Sequence, residues 1–331
     1  MTPEVGRLQA EAEAARAAGQ DEREVELRRE LASRLMGAGD ALGARTALER
    51  ALTLARTLGD DDEEARALYA LALLQQHVAP QGGAARRLLE ESEAAARRGG
   101  DLPFLARVLD RRAGLLVAEG RPQAAAKLLN DVAALQGTSG DHAGRLDTLR
   151  RLAMTLQMCG KPGEAFDVLL DALAESKAGP AQVIRARLEL HLLARGVGLE
   201  GESLTTLLTE AEAEGDTGAA GYIRLQLAAD TIQAGDLSGG EVWAEGARQD
   251  ALGATDPILY LNACLLLAEI REKQGDKVGM LTILHTCRAS MTDLLGEKAA
   301  TPVLALIASV EQRWGSEEFE RVMKLYRAQF D

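Results

Sequence analysis

Four histidines, His77, His142, His191 and His285, and three cysteines, Cys159, Cys264 and Cys287, are the side chains of this chain best suited to metal binding or nucleophilic chemistry. Their spacing does not gather them. There is no HExxH motif, and His285 and Cys287 stand two apart, whereas helical neighbours that converge on one ion stand three or four apart. The cysteines are odd in number and widely spaced, with no CxxC pair, which fits buried small apolar residues rather than a disulfide framework or a zinc site. Gly37, Gly39 and Gly43 loosely resemble a dinucleotide loop, but the strand and βαβ unit that such a loop needs are missing, so these glycines read as the turn of a helical hairpin. Asp60, Asp61 and Asp62 suggest a cation loop that lacks the glycine and distant glutamate of a calcium site; they are expected to cap a helix. Carboxylates are plentiful, yet no pair is singled out as acid and base. No catalytic, cofactor-binding or metal residue is assigned, and the expectation is a protein that is not an enzyme.

The elements around these residues are expected to be helices. Hydrophobic residues make up 47% of the 331 and aromatics only 3%, with Ala, Leu, Glu and Arg dominant. These residues lose little freedom in a helix, and the β-branched and aromatic runs that signal strands are almost absent. The formal net charge of -13 makes the average surface repel phosphate backbones and anionic lipids, so nucleic acid is excluded as a partner. No stretch approaches the roughly 20 apolar residues of a bilayer span, and the opening segment lacks a signal-peptide core. A soluble, cytoplasmic protein is expected, with no direct membrane insertion. The preference for Arg over Lys and the wealth of Ala point to a GC-rich genome, and so to a bacterium.

An internal repeat organises the chain. Asp21, Asp61, Asp101 and Asp141 recur every 40 residues, and Asp216 and Asp256 repeat that interval, each placed to cap the helix that follows. Gly39, Gly120, Gly160, Gly235, Gly275 and Gly315 mark the middle of each unit, where a left-handed residue ends one helix. Pro122 and Pro162 then open second helices, and Pro257 and Pro302 open first helices. Ala32, Ala113, Ala153, Ala228, Ala268 and Ala308 are the small residues of the first helices. In the second helices Ala44, Ala85, Ala125 and Ala165 are followed four residues later by Leu48, Leu89, Leu129 and Leu169, which is one helical face. Forty residues leave two helices of about 17 residues, each about 25 Å long. A single hairpin has too little core, so stacking must supply it.

Glycine, an alanine five residues on, an apolar residue nine on and a small residue twelve on resemble the second-helix signature of tetratricopeptide repeats. Gly160, Ala165, Leu169 and Ala172 carry it, as do Gly39, Ala44, Leu48 and Ala51. The resemblance covers about residues 21 to 331 and implies an all-α, right-handed α-α superhelical solenoid of about eight antiparallel helix hairpins. The usual period is 34 residues; units near 40 resemble the branch of kinesin light chains, Pins-type polarity adaptors and bacterial peptide-responsive regulators, with HEAT repeats the alternative. The expected organisation is a lead helix over 1–20, four repeats and the first helix of a degenerate fifth over 21–195, an irregular segment or shortened helix over 196–216, and repeats six to eight with a capping helix over 217–331. The glycine cluster Gly196, Gly198 and Gly201 marks either a hinge or a degenerate repeat. Phe319, Val322, Met323, Tyr326 and Phe330 form one helical face, read as a cap on the last repeat or as a surface for a partner or for self-association.

In the family that these residues resemble, first helices line a groove that receives an extended peptide or a helix. The resemblance places Arg29, Arg66, Tyr69, His77, Arg107, Arg150, Met154, Gln157, Met158, Tyr222, Asn262 and Glu269 in that groove. Arginines grip carboxylates and methionines offer an adaptable apolar patch, so an acidic-hydrophobic peptide would fit; alternatively the arginines pair with acids of adjacent helices. The Lys and Asn pattern that clamps chaperone C-termini in some relatives is not apparent. The implied function is a non-catalytic adaptor or scaffold for protein–protein interaction. A peptide- or ligand-responsive sensor acting on another chain is the alternative, with an enzyme a remote third.

Overall fold

The computed structural model of the protein describes residues 3–79 and 83–329. Among these, every regular element is helical. The chain divides into two compact units, Met1–Ala178 and Gly179–Asp331. The first opens with α1 (Pro3–Ala17) and continues as hairpins α2 (Asp21–Gly37) with α3 (Ala41–Leu58), α4 (Asp61–Val78) with α5 (Ala84–Gly99), α6 (Leu102–Ala118) with α7 (Pro122–Ser139), and α8 (His142–Met158) with α9 (Pro162–Ala174). The second holds α10 (Pro180–Gly196) with α11 (Leu204–Ala213), α12 (Thr217–Gln233) with α13 (Leu237–Gly253), α14 (Pro257–Lys273) with α15 (Lys277–Leu295), and α16 (Thr301–Trp314) with α17 (Ser316–Arg327). Within each unit the second helix of a hairpin also packs on the first helix of the next, as α3 does on α4 and α13 on α14. First helices touch one another too, α2 with α4, α10 with α12 and α12 with α14.

The repeat register explains this stacking. Ala44, Ala85, Ala125 and Ala165 and the leucines one turn on are all buried, so small and large residues alternate along the second helices and let adjacent hairpins close up. Ala32, Ala113, Ala153, Ala228 and Ala268 are buried in the first helices. Ala308 is not. It is exposed, because α16 is entered through the 3-10 turn Glu297–Ala300, whose Ala300 is itself buried, and faces inward through Val303 and Val310.

Capping carboxylates set the helix starts. Asp101, Asp141, Asp216 and Asp256 accept from the backbone N–H three residues on at 2.9–3.0 Å. Asp21 and Asp61 do not: they are the first residues of their helices. Asp60 caps α4, accepting from Glu63 at 2.9 Å, and Gln20 precedes α2 without a side-chain cap. The two displaced aspartates still lie in the first turn, where negative charge is favoured. Asp40, Asp236 and Asp276 cap second helices as well, so the capping signal recurs twice per repeat.

Left-handed glycines follow α12 at Gly235 (φ 92°) and α14 at Gly275 (φ 77°), but the matching place after α13 is held by Thr255 at φ 53°. A β-branched residue there costs about 1–2 kcal/mol, against about 0.5–1 kcal/mol of extra chain entropy for glycine. Thr255→Gly should therefore stabilise the second unit by roughly 0.5–1 kcal/mol, read as a higher midpoint of urea unfolding. A lower midpoint would refute the strain.

Residues 197–203 join α10 to the short α11 and are held from within. Arg187 bonds Glu202 and Glu210, and His191 Nδ1 lies 2.7 Å from the Glu202 carbonyl oxygen. At the other end, α17 turns its aromatic face onto α15. Tyr326 stacks on His285 at 4.8 Å, Val322 is buried, and Lys277 sits 5.0 Å above the Trp314 ring while bonding Glu318 at 2.7 Å. Phe330 lies outside the described residues.

Candidate partner-binding face

The first helices of the first unit carry nine of the twelve residues assigned to the groove, and their packing separates engaged arginines from available ones. Arg29 on α2 forks onto Glu63 of α4, with Nε to Oε2 at 2.9 Å and a terminal nitrogen to Oε1 at 3.2 Å. Arg66 bonds the same glutamate at 3.2 Å and Asp101 at 2.6 Å. Asp101 thereby serves two helices, one oxygen capping α6 and the other holding α4. Asp256 repeats the arrangement, capping α14 with one oxygen and accepting from the Tyr222 hydroxyl at 3.0 Å with the other. Arg150 bonds Asp147 on its own helix at 2.9 Å. These three guanidinium groups are tied to carboxylates of the chain itself.

Arg107 differs. It is exposed on α6, lies 5.9 Å from the centroid of Phe104, and forms no ion pair among the described residues. Arg111, one turn on, is also exposed and, among the described residues, bonds the Gln76 amide oxygen and no carboxylate, its Nε at 2.8 Å. Tyr69 of α4 stands edge-on to Phe104 at 5.6 Å. Burial pushes its hydroxyl pKa up, and the nearby charges of Arg111 and Arg107 only partly offset that. On α8, Met154 and Met158 are 54% and 59% exposed, too far for surface methionines to be counted as core, and Gln157 lies exposed between them. His77 is exposed in the last turn of α4. The sequence reading missed Arg111, Phe104 and Gln76; the one local signal was Arg111 standing a helical turn beyond Arg107.

The remaining three groove residues, Tyr222, Asn262 and Glu269, meet around one cleft of about 410 Å³ in the second unit. Its walls are leucines of three successive first helices, Leu188 and Leu192 on α10, Leu225 on α12, and Leu265 and Leu266 on α14. Tyr222 and Gln226 supply polar groups from α12, where Gln226 bonds Asp230 at 2.8 Å. Burial and the bond to Asp256 push the Tyr222 hydroxyl pKa up to about 12, so it stays a neutral donor. Asn262 and Glu269 are exposed on α14, Glu269 paired with Lys273 at 2.8 Å. The leucines were not singled out from sequence because they look like any core stripe.

Among the described residues, no group of three His, Cys, Asp or Glu side chains is placed to hold a metal ion, and no helix is long and apolar enough to cross a membrane.

No family's sequence profile matches the chain, and no curated protein matches it in sequence. Solved structures do resemble it. The apo form of the quorum sensor NprR from B. thuringiensis is similar over 88% of this chain and 82% of that one, at 14% identity and a TM-score of 0.59. The apo form of RapI is similar over 85% and 99% of the two chains, at 12% identity and a TM-score of 0.56. A signal transduction ATPase with a tetratricopeptide repeat sensor from Pyrococcus horikoshii matches 93% of this chain but 50% of its own, at 14% identity and a TM-score of 0.51. The fold is thus an all-α helical solenoid of tetratricopeptide-like hairpins, as the glycine and alanine register implies.

Proposed function

We propose that the protein is a non-catalytic adaptor of the bacterial cytoplasm that holds a peptide or helix of a partner protein against its first helices. One observation carries this reading: Arg107 and Arg111 stand exposed on α6 without a carboxylate partner among the described residues, while the next first helix exposes Met154 and Met158. In a chain whose other groove arginines are neutralised internally, two guanidinium groups without a carboxylate, with an adaptable apolar patch on the next first helix, suit an acidic-hydrophobic segment. The fold supports binding in the same way, since stacked hairpins offer a long surface.

The test is capture of partners from the native cell with tagged protein, compared by quantitative mass spectrometry with an Arg107→Glu/Arg111→Glu variant. Loss of about 2–3 kcal/mol of binding, which is at least a tenfold drop in captured partner, is expected with unchanged helicity, because both side chains are exposed. Equal capture would remove these residues from the site. Arg66→Glu would be a poor probe, since it also breaks the bond to Asp101.

A second reading, a peptide- or ligand-responsive regulator acting on another chain, is favoured by the cleft on α10, α12 and α14, whose volume falls in the range of ligand pockets. A compound that raises the melting temperature of the second unit while partner capture stays insensitive to Arg107 would support it over the adaptor.

A further inference from the structure

The methionines of this chain fall into two groups. Met280 and Met291 of α15 are 3% and 5% exposed, and Met36 and Met323 are half-buried, whereas Met154 and Met158 of α8 are more than half exposed. The exposed pair stands one turn apart on one face of α8, while Leu146, Leu152 and Ala153 are the residues by which that helix is anchored in the core. We propose that Met154 and Met158 form a reversible oxidation site, at which hydrogen peroxide converts both thioethers to sulfoxides and thereby removes the apolar part of the partner-binding face. The regulatory consequence rests on the partner-binding reading above; the selectivity of the oxidation does not.

A thioether has no proton to lose, so access to the sulfur, and not ionisation, decides which methionine reacts first. Each sulfur attacks one oxygen of hydrogen peroxide; an S–O bond forms, the O–O bond breaks, and the departing hydroxide takes the proton left on the transferred oxygen to become water. Each sulfur loses two electrons and each peroxide gains them. The product carries a polar, chiral group on the same flexible stem. In a core such as that around Met280 or Met291, the new oxygen would be stranded without a partner and the packing would suffer. At Met154 and Met158 it meets solvent, so the fold survives and only the character of the surface changes. Peroxide leaves the Arg107 and Arg111 charges as they are, so oxidation separates the apolar half of the face from its electrostatic half. Methionine sulfoxide reductases, one for each sulfoxide epimer, restore the thioethers.

The test titrates the full-length protein with hydrogen peroxide, removes thiol oxidation with dithiothreitol, and maps sulfoxides by peptide mass spectrometry. Met154 and Met158 should oxidise before Met36, Met280, Met291 and Met323, with helicity and melting temperature unchanged at that dose. Any other order, or unfolding that accompanies it, would overturn the site. Capture of partners from the native cell by the doubly oxidised protein should fall at least about fivefold, and return after treatment with both reductases. In Met154→Leu/Met158→Leu, whatever its absolute capture, the ratio with and without peroxide should not change. A ratio that falls as in the wild type would place the loss at another residue and refute the switch. Wild-type capture that is insensitive to sulfoxide at both positions would refute it too, while the Arg107→Glu/Arg111→Glu comparison judges the partner-binding reading separately.

Discussion

Replacing Glu24 by alanine should lower the stability of the first unit by about 3 kcal/mol, the low end of the cost of stranding a buried charge. Glu24 is 0% exposed on α2. Both of its oxygens accept from Arg50 of α3 at 3.1 Å, and one also accepts from Arg28 at 3.2 Å. Arg28 reaches on to Glu13 of α1 at 2.6 Å, so one carboxylate helps to clamp three helices. Once it is gone, Arg50 can turn to solvent, but Arg28, with a side chain 12% exposed, cannot and keeps only its bond to Glu13, which is why the low end of the range applies. Burial tends to raise the Glu24 pKa, yet the bonds and charges of Arg50 and Arg28 outweigh it and hold the carboxyl below its ordinary value. A carboxyl lowered in the folded state contributes stability above its unfolded pKa and loses it as pH falls through the folded one. Urea unfolding across that acid range should therefore show a wild-type stability that declines where the alanine variant stays flatter. Equal stability of the two proteins at neutral pH would show that the clamp is solvated.

Gly221→Val should cost the second unit about 3 kcal/mol, and here two effects oppose each other. A side chain at a helical glycine gains about 1 kcal/mol of helix propensity for alanine, less for β-branched valine. Against this, a Cβ at 221 would lie 2.5 Å from Leu259 Cδ2 and 2.9 Å from Asp250 Cβ. Leu259 is 0% exposed and Asp250 is bonded to Arg224, so neither neighbour has room to retreat. Overpacking of about 1–3 kcal/mol for the first carbon, with two methyls added, wins over propensity. Gly218→Ala is the matched control on the same helix. Its Cβ would meet Asp216 Oδ1 at 3.5 Å and the Ala254 Cβ at 3.8 Å, ordinary contacts, so that variant should be neutral or slightly stabilised. Similar melting temperatures for Gly221→Val and Gly218→Ala would sink the close-packing account of α12.

How far the molecule can be read from its sequence depends on the range of each interaction. Helix ends, the Ala and Leu faces and the proline starts follow from contacts within one turn, and Ala44, Leu48, Pro122 and Gly235 do what their types and spacing dictate. The same local logic reaches its limit in the run Asp60, Asp61, Asp62. All three can act near a helix start, and only the backbone path selects Asp60 as the cap. Ala308 shows the limit in another form: its spacing from Gly315 matches the other repeats, but burial depends on how α16 is entered.

The candidate site lies mostly beyond that range. Sequence alone put arginines on successive first helices, and it left open whether each would meet an acid of the chain or a partner. That choice was made by residues more than thirty positions away, Glu63 for Arg29 and Asp101 for Arg66, which arrive only when hairpins stack. Arg107 stays open because no carboxylate among the described residues is delivered to it. Likewise no motif gathers Leu188, Leu225 and Leu265 into one cleft. What the sequence by itself determined is the helical hairpin and its period, since hydrogen bonds, caps and side-chain faces within a helix are decided by near neighbours. Which charges are neutralised and where a cleft opens were decided by tertiary packing, because those depend on surfaces that no single hairpin possesses.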